Sequence, residues 1–359
     1  MRKRKLSRRD VLQGSLKASA ALAFGTVYAQ PSRAQAPPAE AITPQLIEAA
    51  KKEGKVVWYT SIDLSVSEKI AASFKEKFGG IEVRVERTGA ERVFQRIGQE
   101  YASNVHAVDI ANSSDAAHLL AWKRDGILLP YVPEDVAKHY KPEHRDPDGT
   151  FAGFRATLSP IAYNTKLVKA EDAPTSFKDL LDPKWKGKIV KAHPGYSGTI
   201  LTSTFEMVRD IGWPYYESLA KQNVMQVQSA TDPPKKLSLG ERSVMADGTE
   251  YNIFLLREAG QPVEAVYPTE GTPFIVGPNG IFKAAPNPNA AKLFQSYCFT
   301  PDAQRIVIDS GGLRSLHAQV KEHAGRKPLA DIKLMKEDAA GAEAQSEAIK
   351  ARYQKLFRV

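Results

Sequence analysis

Lys55 to Thr88 reads KVVWYTSIDLSVSEKIAASFKEKFGGIEVRVERT. Its opening, KVVWYT, is a short apolar run of β-branched and aromatic residues, the pattern of a strand buried on both faces. Ile70, Phe74 and Phe78 then recur at helical spacing, and Gly79-Gly80 stops that helix. Ile81, Val83 and Val85 alternate as the inward face of a second strand. Strand, helix, strand in this order is the unit of an α/β sheet, because parallel neighbours need a crossover between them.

The pattern repeats outward from this stretch. AERVFQRIGQEYAS (90–103) is a helix with Val93, Phe94, Ile97 and Tyr101 on one face; HAVDIA (106–111) is a strand; SSDAAHLLAWKRDG (113–126) is another helix. This alternation predicts a parallel α/β sheet whose strand-end loops face one crevice: Ser61-Ile62-Asp63, Thr88-Gly89-Ala90-Glu91 and Asn112-Ser113-Ser114. A second α/β region follows FRATLSPIAYNTKLV (154–168). There KGKIVKAHPGYSGTI (186–200) runs strand, turn, helix, and SVMADGTEYNIFLLREAG (243–260) runs strand, loop, helix. From Val263 the chain returns to strands and then a helix hairpin, with no long linker and no internal repeat. Two lobes joined by strands are expected: 42–158 plus 268–359 as a discontinuous first lobe, and 159–267 as the second. The Ala-, Glu- and Lys-rich tail from Lys333 to Lys355 reads as a surface helix.

The N-terminus has a different character. A basic stretch from Arg2 to Arg9 leads into a weakly apolar run from Ala18 to Ala29, closing on Val27-Tyr28-Ala29 as a signal peptidase substrate does. That run is shorter than the roughly 20 residues a bilayer requires. Ser7-Arg8-Arg9-Asp10-Val11-Leu12 resembles the twin-arginine export motif. Residues 1–29 therefore read as a cleaved signal, with later cleavage points at Ala36 and Ala41, and the periplasm as destination. The formal charge of +9 falls mostly on this segment, where seven basic side chains face one acidic one. A nucleic-acid partner is excluded on that ground. The single cysteine, Cys298, excludes an intrachain disulfide framework, and in AAKLFQSYCFT it reads as a packed helix residue.

Ser197-Gly198-Thr199 lies between a Pro-Gly turn and an apolar helical run. Small residues at a helix start leave backbone N–H groups open, which suits either an ordinary cap or an anion.

The mature chain resembles the periplasmic solute-binding proteins of ABC importers, in the branch that includes ferric-ion-binding proteins. AYNTKLV (162–168), SFKDLLDPKWKGKIV (176–190), SGT (197–199), GQPVEAVYPTEGTP (260–273) and APNPNAAKLFQSY (285–297) carry the resemblance together. It implies two α/β lobes of the type II-like kind, joined by crossover strands that act as a hinge, closing on a ligand in the cleft. It also implies a monomer read by a membrane permease with its ATPase, holding no cofactor and doing no chemistry.

In ferric members an adjacent tyrosine pair binds the metal, and a Ser-Gly-Ala/Thr helix start holds a companion anion. Here the helix start is intact, but the pair falls on Tyr251-Asn252, and Ser61 and Asp63 follow the first strand where a histidine would stand. A hard ferric ion favours several anionic oxygens. The departures therefore favour a small anionic solute, with ferric iron on Tyr251 as the alternative. The expected ligand set is the backbone of Ser197, Gly198 and Thr199, the hydroxyls of Ser61, Ser113 and Ser114, the Tyr251 phenol, the Asn252 amide, and Arg87 or Arg92. Such donors suit a carboxylate or phosphate, while Glu91 and Asp247 answer an amine or hydroxyls on the same molecule. His106, His118, His139, His144, His193, His317 and His323 show no metal-ligand spacing and read as surface or packed residues. A remote alternative is a serine hydrolase, since DAAHLL (115–120) and DSGG (309–312) look like pieces of a chymotrypsin-type protease. The α/β context opposes it: Ser310 reads as part of a helix C-cap and His118 as a helix residue.

Overall fold

The structure is a computed structural model that describes residues 36–359; the export segment read at 1–29 lies outside these. The chain runs α1 (Pro44–Glu53), β1 (Lys55–Thr60), α2 (Leu64–Phe78), β2 (Glu82–Arg87), α3 (Ala90–Ala102), β3 (Ile110–Asn112), α4 (Ala116–Arg124), α5 (Glu134–His139) and β4 (Phe151–Leu158). It continues through β5 (Ile161–Asn164), β6 (Ile189–Ala192), α6 (Gly198–Asp210), α7 (Trp213–Leu219), β7 (Met225–Val227), α8 (Asp232–Ser238), β8 (Val244–Met245), α9 (Glu250–Glu258) and β9 (Val263–Val266). It closes with β10 (Phe274–Ile281), α10 (Pro288–Cys298), α11 (Pro301–Asp309) and α12 (Ala339–Phe357).

Two five-stranded sheets result, in the orders β2-β1-β3-β10-β4 and β7-β6-β8-β5-β9. The two-lobe α/β architecture expected from the alternation is present, but each sheet is mixed. β1 lies parallel to β2 and β3, whereas β10 runs antiparallel to β3 and β4. In the second sheet β6 is parallel to β7 and β8, and β5 is antiparallel to β8 and β9. The antiparallel members are the strands adjoining the crossings between sheets. β4 passes to β5 through Ser159-Pro160, and β9 returns to β10 through residues 267–273. The crossings touch: Ser159 N–H donates to the Pro273 carbonyl at 3.1 Å, and Thr272 bridges the chain at Lys333 and Met335 on its other side.

Helices cover both faces of the first sheet. On one side Trp58, Ile70, Phe74, Phe154 and Phe294 share a core, with Trp58 edge-on to Phe294 at 5.2 Å between ring centres. On the other, Tyr59, Val93, Ile97, Leu119 and Trp122 pack together. Cys298 is buried in α10, and burial pushes its thiol well above the ordinary range, consistent with a packing role. Among the described residues no helix is long and apolar enough to cross a membrane.

One expected assignment is corrected. The C-terminal helix, placed with 268–359 in the first lobe and read as a surface helix, buries Tyr353 in the core of the second sheet beside Tyr216, and Ala342 and Ile349 against Leu201 and Phe205 of α6. These inward residues sit among Ala, Glu and Lys, so the composition hides a helix with one buried stripe. Its opposite side reaches the first lobe, where Glu343 pairs with Arg124 and Lys350 with Glu91.

Candidate functional site

Three helix starts meet where the two sheets face one another. α3 begins after Gly89; α4 begins after Asp115, whose carboxylate accepts from Ala117 N–H at 2.9 Å; α6 begins after Ser197, whose hydroxyl accepts from Ile200 N–H at 3.4 Å. Gly198 lets them approach. A Cβ there would lie 2.7 Å from Asp115 Cβ, 3.2 Å from Ser114 Oγ and 3.4 Å from Ala90 Cβ. Ser197-Gly198-Thr199 is thus a helix cap that also abuts the opposite lobe.

The space beside this junction is a cleft of about 390 Å³. From the first lobe it is lined by Ser61, Arg87, Arg92, Ser114 and Arg155, and from the second by Ser197, Thr199, Tyr251 and the segment Gln228–Asp232. Convergent helix N-termini carry partial positive charge, and three guanidinium groups add to it.

Arg155 is the most constrained of these. It sits within β4, whose other residues pack into the core, and is only 3% exposed. Gly277 on the neighbouring β10 makes room, since a Cβ there would lie 3.1 Å from the guanidinium carbon. Arg155 Nη2 donates to Ser61 Oγ at 3.2 Å, while its buried Nε has no partner. No carboxylate pairs with it directly. Burial pulls the guanidinium below its ordinary pKa, against the upward influence of Tyr251 and Asp63. A buried cation held by one neutral hydroxyl is an arrangement that an incoming anion completes.

Around it, Arg87 Nε donates to the Ile62 carbonyl at 3.2 Å and its Nη2 lies 3.6 Å from Asp63 Oδ1. Arg92 Nη2 reaches across the cleft to Gln228 Oε1 at 3.4 Å. The Tyr251 phenol is buried, and burial, reinforced by Asp63, raises its pKa far above the usual value. It is therefore a neutral donor or acceptor at physiological pH.

The expected ligand residues divide. Ser61, Arg92, Ser114, Ser197, Thr199 and Tyr251 line the cleft, as does Arg87; Gly198 does not, and packs instead against Asp115, Ser114 and Ala90 at the lobe contact. Four others point elsewhere. Glu91 is buried between His118 Nε2 at 3.1 Å and Lys350 Nζ at 3.0 Å; burial would raise its pKa, but His118 and Lys350 hold it below the ordinary carboxylate range. Asp247 is buried on Lys191 Nζ at 2.5 Å and Ala192 N–H at 3.1 Å. Ser113 is 0% exposed, joined to His118 Nδ1 at 2.8 Å and to Asp115 N–H at 3.0 Å. Asn252 accepts from the Thr249 hydroxyl at the start of α9. Glu91, Asp247 and Ser113 carry polar groups that the fold uses internally; Asn252 is half-buried with its amide oxygen engaged, and it lies outside the cleft lining.

Arg155, Tyr196 and Gln228–Asp232 were not anticipated. Arg155 did carry a signal: an arginine inside an otherwise apolar strand must be paired or face a ligand. The second-lobe loop carried none, because its Ser, Thr and Asp are ordinary turn residues.

The hydrolase fragments do not assemble. Ser310 Oγ accepts from Lys69 Nζ at 3.2 Å, and His118 is engaged by Ser113 and Glu91. Although Ser113, His118 and Glu91 are connected like a catalytic array, the serine is closed to any substrate.

Comparison with known proteins fits this geometry. Residues 107–332 match the family described as bacterial extracellular solute-binding protein. Iron uptake protein A1 of Synechocystis sp. is 26% identical over 269 residues, covering 70% of this chain and 73% of its own. Iron uptake protein A2 of the same organism is 27% identical over 245 residues, covering 64% and 70%. Among solved structures, the periplasmic binding protein AfuA from Actinobacillus pleuropneumoniae, with fructose-6-phosphate bound, superposes with a TM-score of 0.78 at 24% identity, over 85% of this chain and 99% of that one. Iron-bound HitA from Pseudomonas aeruginosa gives 0.74 at 21% identity, over 83% and 99%. At these identities the two structures establish the fold, which the first holds around a sugar phosphate and the second around iron.

Proposed function

Since the chain belongs to the bacterial extracellular solute-binding proteins, the substrate-capturing components of ABC transporters, we propose that its cleft takes a small organic anion, a phosphate or carboxylate carried on a polar body. The observation that supports this most strongly is Arg155, a buried guanidinium that lines the cleft and whose only hydrogen bond is to the neutral Ser61 hydroxyl. The anionic group sits against Arg155, Ser61 and the start of α6, with Arg87 and Arg92 beside it. The hydroxyls and amides of Gln228–Thr231, and the Asp232 carboxylate, meet the polar body from the other lobe. Binding draws the lobes together about the Ser159-Pro160 and 267–273 crossings, and the closed form is presented to a permease and its ATPase. The protein works in the periplasm as a monomer and transforms nothing.

Ferric iron is the second reading, favoured by the names of the two Synechocystis relatives. Against it, three arginines line the cleft, and Asn252 stands beside Tyr251 where ferric members carry the second tyrosine of the pair, Tyr196 being the other phenol in the lining. A bare trivalent cation would enter a positive field without the phenolate pair that offsets it elsewhere.

The test is a melting series on purified protein with fructose 6-phosphate, inorganic phosphate, small phosphonates, citrate and ferric citrate, at matched ionic strength. A solute at a hundred times its dissociation constant stabilises the folded protein by about 2.7 kcal/mol. The reading requires at least one organic anion to raise the melting temperature by several degrees. A response to ferric ion with none to the iron-free anions overturns it.

A further inference from the structure

Asp135, His139 and His317 form a cluster remote in sequence from any ligand-binding signal, and we propose that it is a divalent transition-metal site, with zinc as the metal it suits best, that fastens α5 to the loop following α11. One ligand atom from each residue lies within 4.8 Å of the other two. His317 Nε2 is 3.8 Å and His139 Nε2 3.9 Å from the same oxygen, Asp135 Oδ1.

The scaffold holds these groups from two directions. Asp135 and His139 are four residues apart on α5 and so share a face. His317 comes from a loop pinned at both ends. Arg314 exchanges backbone hydrogen bonds with Ala156 of β4 at 2.8 and 2.9 Å, and Ala318 N–H donates to the His139 carbonyl at 3.0 Å. The last bond ties the loop to one of the candidate ligand residues. The two imidazoles lie side by side, 4.8 Å between centres, and Tyr140 closes the inner side, edge-on to His317 at 5.5 Å.

The independent sign of a ligand is His317 Nε2. The His317 side chain is 0% exposed, and this nitrogen has no hydrogen-bond partner although it faces Asp135 and His139. A buried polar atom without a partner carries a desolvation cost that a metal bond removes. The nearest lysine of the helix, Lys138, is turned to Glu134 at 2.6 Å and does not neutralise Asp135. Asp135 and His139 are 30% and 24% exposed at the side chain, so the outer face stays open for an exchangeable water as fourth ligand. Two imidazoles and one carboxylate with an open position match zinc chemistry.

Two adjustments accompany loading. Zinc bonds of about 2.0–2.2 Å to nitrogen and oxygen bring tetrahedral ligand atoms to roughly 3.3–3.5 Å from one another, so the partly exposed Asp135 and His139 must move inward by about half an ångström or somewhat more. His317 Nδ1 accepts from Gln319 N–H at 3.2 Å, which leaves the ring proton on Nε2. Metal binding moves that proton to Nδ1 and releases the Gln319 contact. The other buried trio with ligand-type atoms close together, Glu91, Asp115 and His118, lacks these features, because Lys350 and Ser113 already occupy it.

The experiment uses the full mature chain, stripped with a chelator and titrated with zinc chloride by calorimetry, with melting temperature and metal content measured in parallel. One zinc per chain and a raised melting temperature are expected. In the double variant Asp135→Asn/His139→Gln the affinity falls at least tenfold and the thermal response disappears. Both residues are partly exposed, and circular dichroism and the metal-free melt verify that the variant is folded. Cobalt(II) should give the visible absorption of a tetrahedral centre in wild type and lose it in the variant. Unchanged zinc affinity in the folded double variant, or no saturable binding by wild type, overturns the proposal. Neither result touches the anion reading, whose residues lie in the cleft.

Discussion

Replacing Arg155 by methionine separates a ligand-binding arginine from a structural one, because the two roles move stability in opposite directions. In the unliganded protein the guanidinium is 3% exposed and has one hydrogen bond, to Ser61 at 3.2 Å. Exchanging a poorly compensated buried charge for an apolar group of similar length is neutral or stabilising, by about 1–4 kcal/mol in known cases. Arg155→Met should therefore melt at the same temperature as wild type or a few degrees higher. Binding behaves differently. A unit negative charge about 4 Å from the guanidinium gains roughly 4 kcal/mol at an effective dielectric constant of about 20. Truncating one member of a buried, hydrogen-bonded charge pair costs about 2–5 kcal/mol, or roughly thirtyfold to several thousandfold in Kd. Asp63 faces the same region and offsets part of the attraction, so the lower half of this range is expected, near a hundredfold. Calorimetric titration with the tightest anion of the melting series gives the affinity, and differential scanning calorimetry gives the unliganded stability. Arg155→Lys, which keeps the charge and loses the planar fork, should fall between the two. A variant with unchanged affinity and lowered melting temperature would refute the reasoning and leave Arg155 as a structural residue.

Gly198→Ala should weaken anion binding at least tenfold, because the added methyl meets Asp115 Cβ at 2.7 Å and forces the lobe contact apart, while each lobe stays folded since alanine within a helix is otherwise favourable; small-angle scattering that shows full closure with ligand would contradict this. Titration with ferric citrate should produce no visible charge-transfer band, since Asn252 stands where the second tyrosine of a ferric pair would be and Arg87, Arg92 and Arg155 line the cleft; a band that vanishes in Tyr251→Phe would put iron in place of the organic anion. Burial, with the Asp115 charge second, raises the Glu337 carboxyl from 4.5 to about 8 in the folded protein. The native state then holds a proton that the unfolded chain has released, so this contribution is fully present below about pH 4.5 and is lost as pH rises to about 8. Melting temperature should decline over that window in wild type and less steeply in Glu337→Gln; parallel slopes would show that Glu337 is not the group responsible.

Much of the fold was legible because it rests on local periodicity. Val56 to Thr60, Ile70, Phe74 and Phe78, and Val93 and Ile97 specify their elements within a few residues of themselves, and the observed helices and strands follow. The antiparallel entry of β10 between β3 and β4 was not legible, since it depends on pairing Asn279 with Asn112, far apart in the chain. The site shows the same division. Residues next to a strand end or helix start, such as Ser61, Ser114 and Ser197, reach the cleft because local geometry puts them there. Glu91 and Asp247 occupy equally suitable positions and do not, because the partners that claim them, Lys350 and Lys191, stand 259 and 56 residues away. A carboxylate near a helix start is thus ambiguous from sequence: whether it is a ligand or half of an ion pair depends on a cation that only the tertiary fold delivers.

Arg155 is the instructive inverse. Its surroundings in FAGFRATL are apolar, so the sequence already implied that something unusual must accept the guanidinium. The fold supplies Ser61, and it removes a side chain at Gly277 to admit the charge. It provides no carboxylate within ion-pairing distance of Arg155, and Glu91, the acidic side chain at the start of α3, is committed to His118 and Lys350. With the Glu91 carboxylate drawn off to the C-terminal helix, Asp63 beside Arg87 and Asp232 on the opposite wall are the acidic groups that offset Arg87, Arg92 and Arg155, and the arginines outnumber them. The ion pair that removed Glu91 from the expected ligand set therefore supports the anion reading: neutralising Lys350, as in Lys350→Met, should free the Glu91 carboxylate to oppose an incoming anion and weaken its binding, although Lys350 itself lies outside the cleft lining. Since Glu91 stays paired with His118, the loss should be smaller than that of Arg155→Met, and it should be restored in Glu91→Gln/Lys350→Met. Failure of that rescue in a folded double variant would show that Lys350 acts only by anchoring the C-terminal helix.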